Sequence, residues 1–152
     1  MTQEQIIQEF IHCKQSFEYF LYHYITVPVY GTGEFTNFIE YDAHKKYVKA
    51  LEIMWDPNSN KMGTILMASR QLGKTVFTEA TICWLILFHS NYPVMVMSRD
   101  QPQGTDTIIE IKDMLKRLPE WMAPEFTIDQ AMHFKLSNGS EVKLQASNNT
   151  TD

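Results

Sequence analysis

Residues 68–75, ASRQLGKT, combine the chemical groups that a phosphate-binding loop requires. In such a loop consecutive backbone N–H groups surround an anion at a helix N-terminus, a lysine reaches the outer phosphates, and a hydroxyl is available to magnesium. Gly73, Lys74 and Thr75 supply these groups in the required order. The segment therefore predicts a phosphate-binding loop.

Ala68 makes this loop a variant, because it stands where the first glycine of the pattern G-x-x-x-x-G-K-[ST] is expected. A methyl group there requires an ordinary negative φ. We therefore expect the loop to gain its curvature later, around Leu72 and Gly73.

The apolar segments on either side of the loop predict the elements that position it. TILMA, residues 64–68, is typical of a buried parallel strand, and residues 76–88 predict a helix that is apolar on nearly all sides. VMVM, residues 94–97, predicts a second buried strand. Together these segments predict a βαβ unit with a right-handed crossover.

Periodicity and turn residues predict the remaining elements. Apolar residues three or four positions apart indicate helices, and Asn138-Gly139 between two alternating runs indicates a β-hairpin. The expected segments are one helix over residues 3–24 with a capping box of Thr2 and Gln5, an irregular connection over 26–38, a helix over 43–54, and a helix from about 105 to 118.

Composition limits the class of protein. A chain of 152 residues, 44% hydrophobic, can build one core of ordinary size. Its formal charge of −5 argues against binding nucleic acid through bulk positive charge. Cys13 and Cys83 form no CxxC pair, which favours reduced thiols, and the longest apolar run, residues 82–88, is too short to cross a bilayer. We therefore expect a soluble protein in a reducing compartment.

The variant loop and its surroundings resemble the large terminase subunits of tailed bacteriophages, the ATPases that pump DNA into capsids. The resembling segments occur in that family's order and approximate spacing: FEYFLYHYITV, IEYDAHKKYVKAL, SRQLGKT, LKRLPEWM and LSNGSEVKLQAS. The resemblance implies an α/β fold of the additional-strand, RecA/helicase-like P-loop NTPase type, with a parallel sheet and flanking helices. Residues 1–60 would form an N-terminal helical segment with a candidate adenine-side motif, and residues 61–152 the first part of the ATPase core.

The resemblance also implies that the loop binds ATP and Mg²⁺. Lys74 would contact the β- and γ-phosphates as a catalytic residue, and Thr75 would help to hold the metal ion. Arg70 would be the second catalytic residue, supplying in cis a positive charge to the transferring phosphoryl group. A salt bridge that shapes the loop is the alternative role for Arg70. The other nucleotide contacts implied in the loop are Ser69, Gln71, Leu72 and Gly73.

A further nucleotide contact is implied upstream, where the family usually carries an aromatic-glutamine pair that reads adenine. Ala43 and His44 occupy the corresponding positions. His44 could hydrogen-bond a base edge through one ring nitrogen, or it could be a surface histidine without this role. Adenine selectivity is therefore open.

The acidic residue that a P-loop hydrolase needs at the end of an apolar strand is not evident. Asp100, after VMVMSR, is the only local substitute. In terminases the acidic strand soon follows a segment similar to LSNGSEVKLQAS. We therefore expect the chain to be a fragment without that strand and without the nuclease domain, and to be inactive alone. The absent strand would lie between the strands at 64–68 and 94–97.

The leading hypothesis is the ATP-binding part of a terminase large subunit, which would translocate double-stranded viral DNA into the procapsid. The implied partners are this DNA, the portal protein, the small terminase subunit and sibling copies in a ring, which is expected to be a pentamer. The expected location is the host cytoplasm, with transient docking on the procapsid and no membrane partner. The alternatives are a helicase-like or other P-loop NTPase and a degenerate nucleotide-binding or assembly module.

The remaining histidines show no metal-binding spacing and are expected to be ordinary residues. They are His12, His23, His89 and His133.

Overall fold

The computed structural model describes residues 1–38, 42–56, 58–60, 63–65, 67 and 73–146. Over these residues the chain forms a mixed α/β fold. Its helices are α1 (Gln3–Gln15), α2 (Phe17–Tyr24), α3 (Asp42–Trp55), α4 (Lys74–Phe88) and α5 (Gln101–Lys116). Its strands are β1 (Thr26–Pro28), β2 (Phe35–Asn37), β3 (Pro93–Ser98), β4 (Phe126–Asp129), β5 (His133–Leu136) and β6 (Glu141–Ala146).

The main sheet has four strands in the order β3-β6-β5-β4. β3 runs parallel to β6, with Val94 opposite Val142, while β6 pairs with β5 and β5 with β4 in antiparallel fashion. The hairpin predicted around Asn138-Gly139 is confirmed as β5 and β6. Gly139 has a φ of 86°, which is the left-handed conformation that this turn requires of its glycine.

One face of this sheet is buried against helices because apolar residues alternate along the strands. Phe134 and Val142, which are opposite each other in β5 and β6, are both fully buried. α5 packs on β3 and β6. The buried side chains form one cluster that extends from Cys13 in α1 to Leu144 in β6. The two cysteines are free and buried, which confirms the expected unpaired thiols.

The single helix predicted over residues 3–24 is wrong, since Ser16 divides it into α1 and α2. Ser16 has an extended backbone, with φ −134° and ψ 106°, and its hydroxyl accepts the Tyr19 N–H at 3.1 Å. Serine competes with helix continuation by capping the helix that follows. The capping box of Thr2 and Gln5 at the start of α1 is confirmed.

The two strands predicted beside the phosphate loop also need correction. Thr64, Ile65 and Met67 are not in a strand, and the side chains of Ile65 and Met67 are each 89% exposed. A parallel strand is stable only when neighbours cover it, and within the described residues β6 is the only strand that pairs with β3. The described residues therefore form no βαβ unit there. β3 is an edge strand that is covered on one face only, with Met95 63% and Met97 78% exposed.

Two further segments differ from the expectations. Residues 26–38 contain the hairpin of β1 and β2 instead of an irregular connection. α5 begins at Gln101, earlier than predicted, because the Asp100 carboxylate accepts the Gln103 N–H at 3.0 Å and so caps the helix. No helix in the described part of the chain is both long and apolar enough to cross a membrane.

The β5–β6 turn is attached to the C-terminal end of α4. The Asn138 side-chain amide donates to the carbonyl of Ile86 at 2.8 Å, and its oxygen accepts the Ser140 N–H at 3.0 Å. We expect Asn138→Ala to lower the free energy of unfolding by about 1–2 kcal/mol, because a half-buried helix carbonyl loses its donor. Urea denaturation measures this change. The matched control is Asn60→Ala at an exposed position, and equal unfolding midpoints for the two variants would contradict the expectation.

Candidate functional site

The candidate site is at the N-terminal end of α4. Gly73 precedes the helix in the left-handed conformation, with φ 67° and ψ 19°, and its carbonyl accepts the Phe77 N–H at 2.9 Å. Glycine has no side chain that could cap the free N–H groups of the first turn. These N–H groups and the positive end of the helix dipole favour an anion at this position.

Among the loop residues predicted to bind nucleotide, the structure describes Gly73, Lys74 and Thr75. Lys74 is half-buried and is the first residue of the helix, while Thr75 is exposed in its first turn. Ser69, Arg70, Gln71 and Leu72 lie outside the described residues, as does Ala68. Their predicted roles stay predictions.

A cavity of about 420 Å³ opens between α4, β3 and α5 beside these residues. One face of α4 contributes Lys74, Thr75, Thr78, Glu79 and Ile82 to its lining. β3 and α5 contribute the residues Met95, Val96, Met97 and Thr107. The cavity therefore combines an ammonium group, hydroxyl groups and a carboxyl group with an apolar strand edge.

Glu79 is the residue in this cavity that sequence reasoning missed. It lies four positions after Thr75, which places both on the same face of the helix. Only 3% of Glu79 is exposed, and burial, followed by the charge of Glu110, raises the pKa of its carboxyl to about 7. The sequence signal that could have identified Glu79 is that a single charged residue occurs inside the apolar run of residues 76–88. A buried carboxyl with a raised pKa in a cleft is a recognised mark of functional sites.

His44 is placed beside Gly73, although the two residues are distant in the sequence. Its side chain is completely buried, so the alternative of a surface histidine is wrong. Its ring is parallel to within 13° to that of Phe77, at a centroid distance of 6.0 Å, and lies 4.7 Å from the ring of Phe38. The helix α3 thus brings an aromatic side chain to the end of the segment predicted to bind phosphate.

A second cavity, of about 320 Å³, lies between α3 and α4. Its lining is mostly apolar and consists of Leu51, Met54, Thr64, Phe77, Thr78 and Thr81. A larger depression of about 760 Å³ follows the outside of α1 from Met1 to Glu9 and includes none of the predicted site residues. The chemistry predicted from the sequence therefore maps to the α4 region.

The described residues fit a magnesium-bound polyphosphate in part. The open first turn of α4 suits phosphate oxygens, Lys74 suits their charge, and the exposed Thr75 hydroxyl can serve as an oxygen ligand for a hard cation. Asp100, the substitute acid considered from the sequence, caps α5 through its carboxylate, as described above. No group of three or more His, Cys, Asp or Glu side chains within the described segments is arranged to hold a metal ion.

Comparison with known families adds no assignment, because no protein-family model matches the chain.

Proposed function

We propose that this chain is the ATP-binding part of a phage terminase large subunit. The observation that carries the proposal is the position of Lys74 and Thr75 at the uncapped N-terminus of a buried helix, directly after a left-handed glycine and at the mouth of a cavity. Double-stranded viral DNA, the portal protein, the small terminase subunit and a homo-oligomeric ring, pentameric by expectation, belong to the proposal through the family resemblance.

The residues of this site would bind and orient the nucleotide. The N–H groups of the first turn of α4 would receive phosphate oxygens, and the Lys74 ammonium would contact the β- and γ-phosphates. Thr75 would supply one oxygen ligand to Mg²⁺, which when bound neutralises charge on the phosphates. Arg70 would provide a further positive charge to the transferring phosphoryl group, and Ser69, Gln71 and Leu72 would complete the loop.

A nucleotide-binding module without hydrolysis is the second candidate. It is favoured by the side chain of Asp100, whose Oδ1 accepts the Gln103 N–H and so caps α5. The two candidates differ in ATP hydrolysis. The terminase proposal requires hydrolysis in a protein that also contains the acidic strand. A binding module would bind ATP without hydrolysing it, with or without that strand.

The binding proposal is tested by titrating the chain with ATP and Mg²⁺ in a calorimeter. We expect Lys74→Ala to weaken ATP binding about tenfold or more, because Lys74 is the one lysine or arginine among the described residues that line the cavity. Lys49→Ala, an exposed lysine on α3, is the control and should bind like the unsubstituted chain. Equal affinities of both variants would contradict the assignment of Lys74.

A further inference from the structure

The ring of His44 closes one side of Gly73. A Cβ atom added to Gly73 would lie 3.4 Å from Nε2 of His44 and 3.6 Å from ring atoms of Phe38. His44 is held in this position by aromatic neighbours, since its ring also stacks with Phe77 and lies 5.9 Å from the ring of Tyr47. An aromatic cluster from α3, α4 and the segment before α3 therefore surrounds the residue at which the phosphate-binding segment becomes a helix.

We infer that His44 is a positioning residue, whose ring supports Gly73 and thereby sets the geometry of the phosphate-binding end of α4. This inference rests on the proposed function and deepens it, because it assigns His44 to the phosphate end of the nucleotide and not to the base. The complete burial of the imidazole favours a role exerted through the residues it contacts.

The mechanism of this support follows from the backbone of Gly73. Its φ of 67° is a left-handed conformation that is strained for any residue with a side chain, and the first N–H groups of α4 follow directly after it. The rings of His44 and Phe38 border the space where a Cβ would stand, at van der Waals distance from it. If the His44 ring is removed, this space opens and the glycine gains alternative conformations, so the N–H groups lose their common direction.

The test compares a ligand that contains a nucleoside with one that consists of the phosphate chain alone. ATP and inorganic tripolyphosphate, each with Mg²⁺, are titrated into the chain and into the variants His44→Phe and His44→Gln. We expect His44→Gln to weaken both ligands by the same factor, about tenfold, because the ring that supports Gly73 is lost. We expect His44→Phe to bind both ligands within about threefold of the unsubstituted chain, because the packing of an aromatic ring is kept.

The variant Leu51→Ala separates a general loss of stability from the proposed effect, because Leu51 is buried on the same helix but is not among the residues nearest to a Cβ added at Gly73. This control should lower the melting temperature and leave both affinities unchanged in the folded protein. If His44→Phe weakens ATP but not tripolyphosphate, or if His44→Gln retains both affinities, the inference is overturned and a base contact or no role remains. If the unsubstituted chain binds ATP but no tripolyphosphate, the inference is also overturned. Binding of neither ligand would overturn the proposed function together with it.

Discussion

Replacing Glu79 by glutamine is expected to stabilise the protein by about 1–3 kcal/mol at about pH 8 and to leave its stability nearly unchanged near pH 4.5. Glu79 is a buried residue of α4, and the pKa of its carboxyl is raised from 4.5 to about 7, first by burial and second by the charge of Glu110. An amide is uncharged at every pH, so it removes the unfavourable ionisation of the buried group.

The direction of the pH dependence follows from the raised pKa of Glu79. Between about pH 4.5 and pH 7 the folded protein binds this proton and the unfolded chain releases it, so stability falls as the pH rises through this window. Above about pH 7 the penalty is constant. The lowered pKa values of Glu9, Asp129 and Glu141 act at more acidic pH, where their favourable interactions are lost as the pH falls.

Thermal unfolding of both proteins at a series of pH values measures this difference. The control is Glu110→Gln, an exposed position on α5 that contributes only the second cause of the shift. It should produce a smaller gain at about pH 8 than Glu79→Gln. A difference between the unsubstituted protein and Glu79→Gln that does not vary with pH would show that Glu79 titrates normally.

Gly139→Ala is expected to lower the free energy of unfolding by about 2–4 kcal/mol, the sum of a left-handed backbone penalty and an overpacked contact. Gly139 has a φ of 86° in the β5–β6 turn. A Cβ atom at this position would clash with the side chain of Asn91, which itself lies in a left-handed turn with φ 56°. The Asn91 N–H donates to the carbonyl of Asn138 at 3.1 Å, so the two turns cannot separate freely.

Gly31→Ala is a matched control for Gly139→Ala. Gly31 has a φ of 82°, nearly the same as that of Gly139, but a Cβ there would meet no atom within 4 Å among the described residues. It should therefore report the backbone penalty alone, about 1–2 kcal/mol. Urea denaturation of both variants measures the two values. If Gly31→Ala and Gly139→Ala are equally destabilising, the contact with Asn91 contributes nothing.

Features that depend on neighbouring residues were predictable from the sequence. The hairpin turn was recognised because Asn138-Gly139 suits only a few turn types, and the helix α4 because its apolar run is long. The capping box of α1 depended on two residues three positions apart. In each case the chemistry that determines the structure is contained within a few positions of the chain.

Features that depend on distant contacts were not predictable. The run of residues 64–68 has the composition of a buried strand, but composition does not specify which strand would pair with it, and β3 pairs with β6. The apolar spacing continues past Ser16 and therefore predicts one continuous helix there. β1 and β2 are short strands, and Thr26 pairs with Asn37 although the residues between them are rich in turn formers. Such a segment does not indicate strands by its pattern alone.

The candidate site shows the same division. Gly73, Lys74 and Thr75 were identified from their order, and their position at the start of a helix follows from the flanking apolar run. His44 is indicated only by the family resemblance, and its position beside Gly73 depends on how α3 packs near the start of α4. Glu79 was missed because its burial depends on α5 and β3, which the pattern of α4 alone does not reveal.

The attachment of Asn138 to the last turn of α4 has a consequence for the order of folding. The residues that it joins are 49–52 positions apart in the chain. During synthesis the carbonyls at the end of this helix stay hydrated until the ribosome has released the later turn, because their donor has not yet been made. The C-terminal end of α4 therefore acquires this donor only when a long loop closes.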